Sequence, residues 1–307
     1  VDKRQKGSDL VLEKLGTEKR NPDTMQLDKM AVADVLVAMN KEDASVTEVI
    51  HNQLGSIEKT VEAVVDSFEK EGRLIYIGAG TSGRLGILDA VECVPTFGVS
   101  PDMVVGLIAG GLKAFTKAVE GAEDDPELGM QDLKDIGLNS SDTVIGIAAS
   151  GRTPYVIGAL TYAKKTAAHT ISISNNENSE ISRYADIAIE LATGPEVLTG
   201  STRLKAGSAQ KMVLNMISTA AMIGIGKAYE NLMIDVQATN EKLQIRSKRI
   251  IMEATGADAD TAEAAYEASG HNVKTAVVMI LADCTREEAV ERIKATKGFV
   301  RKAMEKA

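Results

Sequence analysis

Two short stretches of this sequence set hydroxyls among glycines, a combination suited to holding a phosphate. The first, Gly78-Ala79-Gly80-Thr81-Ser82-Gly83, follows the apolar run Leu74 to Ile77 and precedes a helical pattern. Glycines let backbone N–H groups converge, and the start of a helix adds partial positive charge. The dipole alone contributes about 0.3 to 1 kcal/mol at an exposed site, so hydroxyls must add to it. Hydrogen bonds to a charged group contribute about 1.5 to 3 kcal/mol each, and Thr81 and Ser82 can supply two. Serine and threonine also cap helices, and for Ser82 both readings stay open. The second stretch, Ala148-Ala149-Ser150-Gly151-Arg152-Thr153-Pro154, ends in a proline suited to the first position of a helix and forms a second such cradle.

The first stretch also matches the G-x-G-x-x-G pattern of dinucleotide folds. That pattern needs an acid at the end of the next strand, about 20 residues on, for a ribose hydroxyl. The next strand candidate, Met103 to Ala109, ends in Gly110-Gly111, and Asp102 precedes it. A nicotinamide or flavin cofactor is therefore not expected.

Two acids stand out near these stretches. Leu85, Leu88 and Glu92 recur at i, i+3 and i+7, which puts a carboxyl on an apolar helix face. Pro95 is expected to end that helix near Cys93. Glu123 lies in the acidic turn Glu120 to Glu127, where Asp125, Pro126 and Glu127 also read as the ordinary opening of a helix.

These residues need a scaffold, and strand-like and helix-like runs alternate from Gly72 onward, the pattern of a parallel sheet wrapped by helices. Five strands are expected: Leu74 to Ile77, Met103 to Ala109, Thr143 to Ala149, Thr170 to Ser174 and Ile187 to Leu191. Residues 1–50 read as a helical lead-in, with a loop at Lys14 to Pro22 and a helix over Asp28 to Met39. One helical run follows from Val46 to Phe68. A long helix reaching about Tyr229, nearly all apolar or small, should be buried. Beyond Asn240, short Ala-rich segments end at Gly256 and Gly270. The expected domains are therefore 1–50, 51–235 and 240–307, the last small and helical. Lys274 falls in the first turn of a helix, where a cation opposes the dipole; it is either exposed or beside an anion.

Composition narrows the function. The chain has 307 residues, a net charge of -9 and 3% aromatic residues, which argues against a nucleic-acid surface. Its longest apolar candidate, Met212 to Gly226, is interrupted by Asn215, Ser218 and Thr219, and Val1 to Lys19 lacks a continuous hydrophobic segment. No membrane association and a cytoplasmic location are expected. Cys93 and Cys284 read as buried thiols, and His51, His169 and His271 are too scattered to bind a metal.

Thr17-Glu18-Lys19-Arg20-Asn21-Pro22, the run Gly78 to Cys93, Pro95-Thr96-Phe97-Gly98, Gly121 to Asp125, Ala148 to Tyr155, Gly194 to Lys211 and His271 to Lys274 together resemble the N-acetylmuramic acid 6-phosphate etherases. The resemblance implies a sugar isomerase (SIS) domain of α/β class, with a five-stranded parallel sheet wrapped by helices and a ubiquitin-associated-like helical domain after it. It implies a homodimer, a phosphorylated amino sugar as substrate, no cofactor and no metal. It places acid and base work on Glu92 and Glu123, and for such a substrate the expected phosphosugar contacts are Gly80, Thr81, Ser82, Ser150, Gly151, Thr153 and Ser201. In that role Glu92, buried near the negative end of its helix, is expected to be the acid. Glu123, in a solvated turn, is expected to be the base. An aldose–ketose isomerase and a phosphosugar-sensing regulator akin to glucokinase regulatory protein are the alternatives on this scaffold.

Overall fold

Leu74–Gly78 (β1), Val104–Ile108 (β2), Thr143–Ala148 (β3), His169–Ser174 (β4) and Ile187–Glu190 (β5) form one sheet in the order β2-β1-β3-β4-β5, parallel throughout. The computed structural model from which this is read describes residues 15–117, 119–237 and 240–305. Residues 1–14, the first part of the lead-in expected over 1–50 and most of the Val1 to Lys19 segment, lie outside the described residues. Every residue of β1 and β3 is buried, as expected for central parallel strands covered on both faces. The strand positions match the expected runs to within a residue at each end. From β1 the chain crosses to β2 on one side, then returns to β3 on the other, so the connections diverge between β1 and β3. Ligands of open α/β sheets bind at such a switch point, beyond the carboxyl ends of the strands.

The helices Pro126–Asp135 and Pro154–Lys165 belong to a core that includes Ile75, Ile77, Val144, Tyr155, Val156 and Leu160. Each such side chain contributes about 1.5 to 3 kcal/mol on burial. The Tyr155 hydroxyl donates to Asp132 Oδ2 at 2.5 Å. Burial, followed by this bond, holds the phenol far above its ordinary range, so it remains protonated. At the opposite edge of the strands, Arg73 clamps Asp142 through its backbone N–H, Nε and Nη2, at 2.9, 3.2 and 2.7 Å. The guanidinium also donates to the carbonyls of Ile136 and Gly137. That cluster ties the start of β1 to the start of β3.

The chain divides into two units. The first runs to Ala90 and resumes over Asp102–Ile217; the second takes Val91–Pro101 and everything from Ser218. In the second, the helices Glu241–Thr255, Ala259–Ala268, Val273–Ala282 and Arg286–Ala295 each start at a side-chain cap: Asn240, Asp258, Asn272 and Thr285 accept from the backbone N–H three residues on. Gly256, at φ +73°, closes the first of them. Ile234, Ile251, Tyr266, Val277 and Val278 are among the residues of this unit's core.

Several expectations need correction. Val46 to Phe68 is two helices, Val46–His51 and Leu54–Glu69, separated at Asn52-Gln53. The helix expected over Asp28 to Met39 begins at Val32 and buries none of its residues. Lys205–Gly224 buries one face only, leaving Met212 and Ile223 exposed. Gly80–Phe97 runs past Pro95: the proline deprives only the Val91 carbonyl of its partner, and Val91 is 61% exposed, so water can serve it. Cys93 is buried, but Cys284 is only partly so. Among the described residues no helix is long and apolar enough to cross a membrane.

Candidate active site

In the loop after β1, close approach and backbone sign call for glycine separately. A Cβ on Gly78 would lie 2.9 Å from the Gly83 nitrogen and from the Ile147 carbonyl oxygen, so strand and helix meet backbone to backbone. Gly80 takes φ +54°, which turns the chain into the helix Gly80–Phe97 at once and sets Thr81 and Ser82 in its first turn. In the loop after β3, Gly151 has φ +71°, and a Cβ there would meet the Ser179 Cβ at 2.3 Å. Thr153 occupies the cap position of Pro154–Lys165 without making a side-chain cap bond. Ser150 Oγ accepts from the Arg152 N–H at 3.3 Å, which leaves its own proton for another acceptor.

Because β1 and β3 are neighbours, the two loops meet at the switch point around a pocket of about 200 Å³. Gly80, Thr81, Ser82, Ser150, Thr153 and Glu123 line it, together with Glu18 and Thr202. Gly151 shapes its loop and Ser201 holds the turn before Leu204, but neither lines the pocket. A larger hollow of about 430 Å³ beside Gly16, Lys19 and Asn176 contains none of these loop hydroxyls. The smaller pocket is therefore the candidate site.

The expected partnership of Glu92 with a buried apolar face does not hold. Leu88 is 44% exposed, and Glu92 is exposed and falls in the second unit. The buried side of this helix carries Ser82, Gly86, Asp89, Ala90, Cys93 and Phe97, too many of them small or polar to register as hydrophobic periodicity. Its buried acid is Asp89, which accepts from the Tyr76 hydroxyl at 2.9 Å and from Asn215 Nδ2 at 2.6 Å.

Ser82 has a role that neither of its two readings contained. It is 6% exposed, and its hydroxyl donates to Gln210 Oε1 at 2.9 Å. Gln210 donates in turn to Asn175 Oδ1 at 2.8 Å. This buried relay ties the first loop to the helix Lys205–Gly224, whose start is held by buried Glu196, accepting from the N–H groups of Lys205 and Ala206.

Glu18 was missed by sequence reasoning on its residue types. The stretch Thr17 to Asn21 is a strap: Asn176 accepts from the Thr17 N–H at 3.2 Å, donates to Thr17 Oγ1 at 3.0 Å, and donates to the Ala149 carbonyl in the second loop at 3.0 Å. Thr24 Oγ1 donates to the Val197 carbonyl at 2.9 Å. Thr17 is fully buried, and its fixation directs the Glu18 carboxylate to the pocket. The available signal was polar residues crowded before Asn21-Pro22 in a stretch without hydrophobic period.

A second hollow, of about 210 Å³, shares Ala79, Gly80 and Glu123 with the first. Its other walls include Ala109, Ala114 and Val119, with Arg84 and Glu120. Arg84 Nε donates to the Phe115 carbonyl at 2.9 Å and Nη2 to the Ala114 carbonyl at 2.7 Å.

Residues 56–164 match the family model of the glucokinase regulatory protein N-terminal SIS domain, and residues 114–220 match that of the SIS domain. The chain is 65% identical, over 294 residues, to an N-acetylmuramic acid 6-phosphate etherase of Bacillus mycoides (strain KBAB4), covering 96% of this chain and 100% of that one. It is 64% identical over the same span and coverage to one of Bacillus cereus (strain ATCC 10987 / NRS 248). Among solved structures, phosphoheptose isomerase GmhA from Neisseria gonorrhoeae is similar at a TM-score of 0.49 and 15% identity, over 62% of this chain and 98% of that one.

Proposed function

This chain belongs to the N-acetylmuramic acid 6-phosphate etherase family, and from that premise we propose that it cleaves the D-lactyl ether of N-acetylmuramic acid 6-phosphate with water. The products are N-acetylglucosamine 6-phosphate and D-lactate, and the setting is cell-wall sugar recycling in the cytoplasm. The observation that carries this reading is the switch-point pocket, where a helix N-terminus, the hydroxyls of Thr81, Ser150, Thr153 and Thr202, and the Glu123 carboxylate meet in about 200 Å³. The first turn of Gly80–Phe97 and the hydroxyls hold the 6-phosphate and the sugar oxygens.

In the open-chain sugar the C2 proton is acidified by the C1 aldehyde. Glu123 removes it, and the C3–O bond breaks as Glu92 protonates the departing lactate oxygen. Water then adds to C3 as the proton returns to C2. Two carboxyl groups in opposite protonation states suffice for this sequence. Glu92 is exposed on a helix that also exposes Leu88 and Val91. Glu92 also lies twelve residues beyond Gly80 on one helix, about 18 Å at 1.5 Å per residue, so its acid role rests on the homodimer, in which it would serve the pocket of the second copy and be withdrawn from water there.

Incubation with N-acetylmuramic acid 6-phosphate should release D-lactate in step with N-acetylglucosamine 6-phosphate, with a dimer in sedimentation equilibrium. Interconversion of hexose or heptose phosphates without lactate would assign the site to an isomerase. A monomer with full activity would remove the dimer from the mechanism.

A further inference from the structure

The substrate of the reading above carries two anionic groups, a phosphate and the lactyl carboxylate, and the pocket of Thr81 and Ser150 provides for only one of them. Its lining contains no cation and two carboxylates, Glu18 and Glu123. The neighbouring hollow is built differently. Ala79, Ala109, Ala114 and Val119 give it an apolar wall, and Arg84 is the cation in its lining. Resting on that reading, we infer that this second hollow receives the lactyl arm: Arg84 binds its carboxylate, and Ala109, Ala114 and Val119 surround its methyl group.

Three observations support the assignment. The bonds from Arg84 to the Ala114 and Phe115 carbonyls fix the plane of the guanidinium. A guanidinium has five N–H donors in a fixed fork, so donors remain for a carboxylate. Among the described residues no carboxylate lies within ion-pair distance of Arg84 to occupy them already. The two hollows share Ala79, Gly80 and Glu123, so a group joined to the sugar by one ether oxygen can pass from one to the other alongside the base that acts at C2.

Glu120 and Glu123 also line this hollow, and their charge opposes that of a carboxylate. The tether to the sugar offsets this repulsion before cleavage by supplying a high effective concentration. After cleavage only Arg84 and the apolar wall hold the lactate, and the repulsion favours its departure.

Kinetics on N-acetylmuramic acid 6-phosphate, paired with calorimetric binding of N-acetylglucosamine 6-phosphate, which lacks the lactyl arm, test this directly. Arg84→Gln should raise KM for the lactyl substrate by about 10- to 100-fold, the loss of a charge-assisted bond, with affinity for N-acetylglucosamine 6-phosphate unchanged. Arg84 also braces a backbone, so Val119→Glu, at a surface-reaching residue, supplies an independent arm. It adds a like charge to the hollow and should produce the same split. Equal losses on both ligands, or wild-type KM in Val119→Glu, would overturn the inference. Failure of the wild-type protein to release lactate would instead overturn the functional reading and this inference with it.

Discussion

Glu123 and Glu92 are both exposed, the first as expected and the second not, and exchange of the C2 hydrogen can separate their roles. Glu123 lines both hollows; Glu92 is exposed in the second unit. In deuterated solvent, Glu92→Gln should retain C2 exchange while losing ether cleavage, and Glu123→Gln should lose both, each by about 10²- to 10⁴-fold. The reverse pattern would exchange the roles. Ser82 adds a structural consequence: Ser82→Ala leaves the buried Gln210 carbonyl without its donor and should lower the unfolding free energy by about 1 to 3 kcal/mol. Urea denaturation beside Thr81→Ala measures this; equal stability of the two variants would mean Gln210 finds another partner. At this scale the sequence revealed residues whose type is tied to the turn, Gly80, Thr81, Ser150 and Thr153. Glu18 and Arg84 escaped because their placement depends on partners far along the chain, Asn176 for the strap and the Ala114 and Phe115 carbonyls for the guanidinium.

The strands were legible because a central parallel strand is buried on both faces and so appears as an unbroken apolar run, as Leu74–Gly78 and Thr143–Ala148 do. Helix faces and ends were less so. The outward face of Gly80–Phe97 carries leucine and valine while its inward face carries glycine, alanine, serine and aspartate, so hydrophobic period pointed to the wrong side. What holds β1 against β3 at their amino ends was also hidden, since Arg73 and Asp142 are far apart in sequence. Asp142 is fully buried and accepts three bonds from Arg73 and a fourth from the Asn139 N–H at 3.0 Å. Asp142→Ala should therefore cost about 3 to 5 kcal/mol, since it leaves the guanidinium and backbone N–H of Arg73 and the N–H of Asn139 without their acceptor. The midpoint of urea unfolding reads this, with circular dichroism confirming the folded baseline. A loss under about 1 kcal/mol would mean that water replaces the carboxylate at Arg73.

Across the whole chain, the composition change after Asn240 announced a helical region, but nothing local marked Val91–Pro101 as part of the second unit. The reason is visible at Asp235. A Cβ on Gly98, at φ +61°, would lie 2.5 Å from the Asp235 carbonyl oxygen, a backbone contact that leaves no hydrophobic signature. The Asp235 carboxylate meets Lys274 Nζ at 2.5 Å and Lys227 Nζ at 3.7 Å, and Lys274 donates to the Gly226 carbonyl at 2.9 Å. Of the two readings of Lys274, the anionic neighbour is therefore the observed one: the residue is 6% exposed and joins the first turn of Val273–Ala282 to the chain that precedes the unit's helices. Burial outweighs the attraction of Asp235 and lowers the Lys274 pKa below its ordinary 10.5. The folded protein then releases this proton at lower pH than the unfolded chain does. Between the two pKa values the unfolded state binds more protons, so this lysine makes stability rise with pH up to about 10.5. Below the folded value its cost is constant. Lys274→Met removes the titration, so the stability of the wild-type protein relative to this variant should climb through the alkaline range approaching 10.5, read from urea unfolding at a series of pH values. A relative stability that falls over that range would mean that Asp235 raises the Lys274 pKa, making the ion pair rather than desolvation the dominant influence in this part of the second unit.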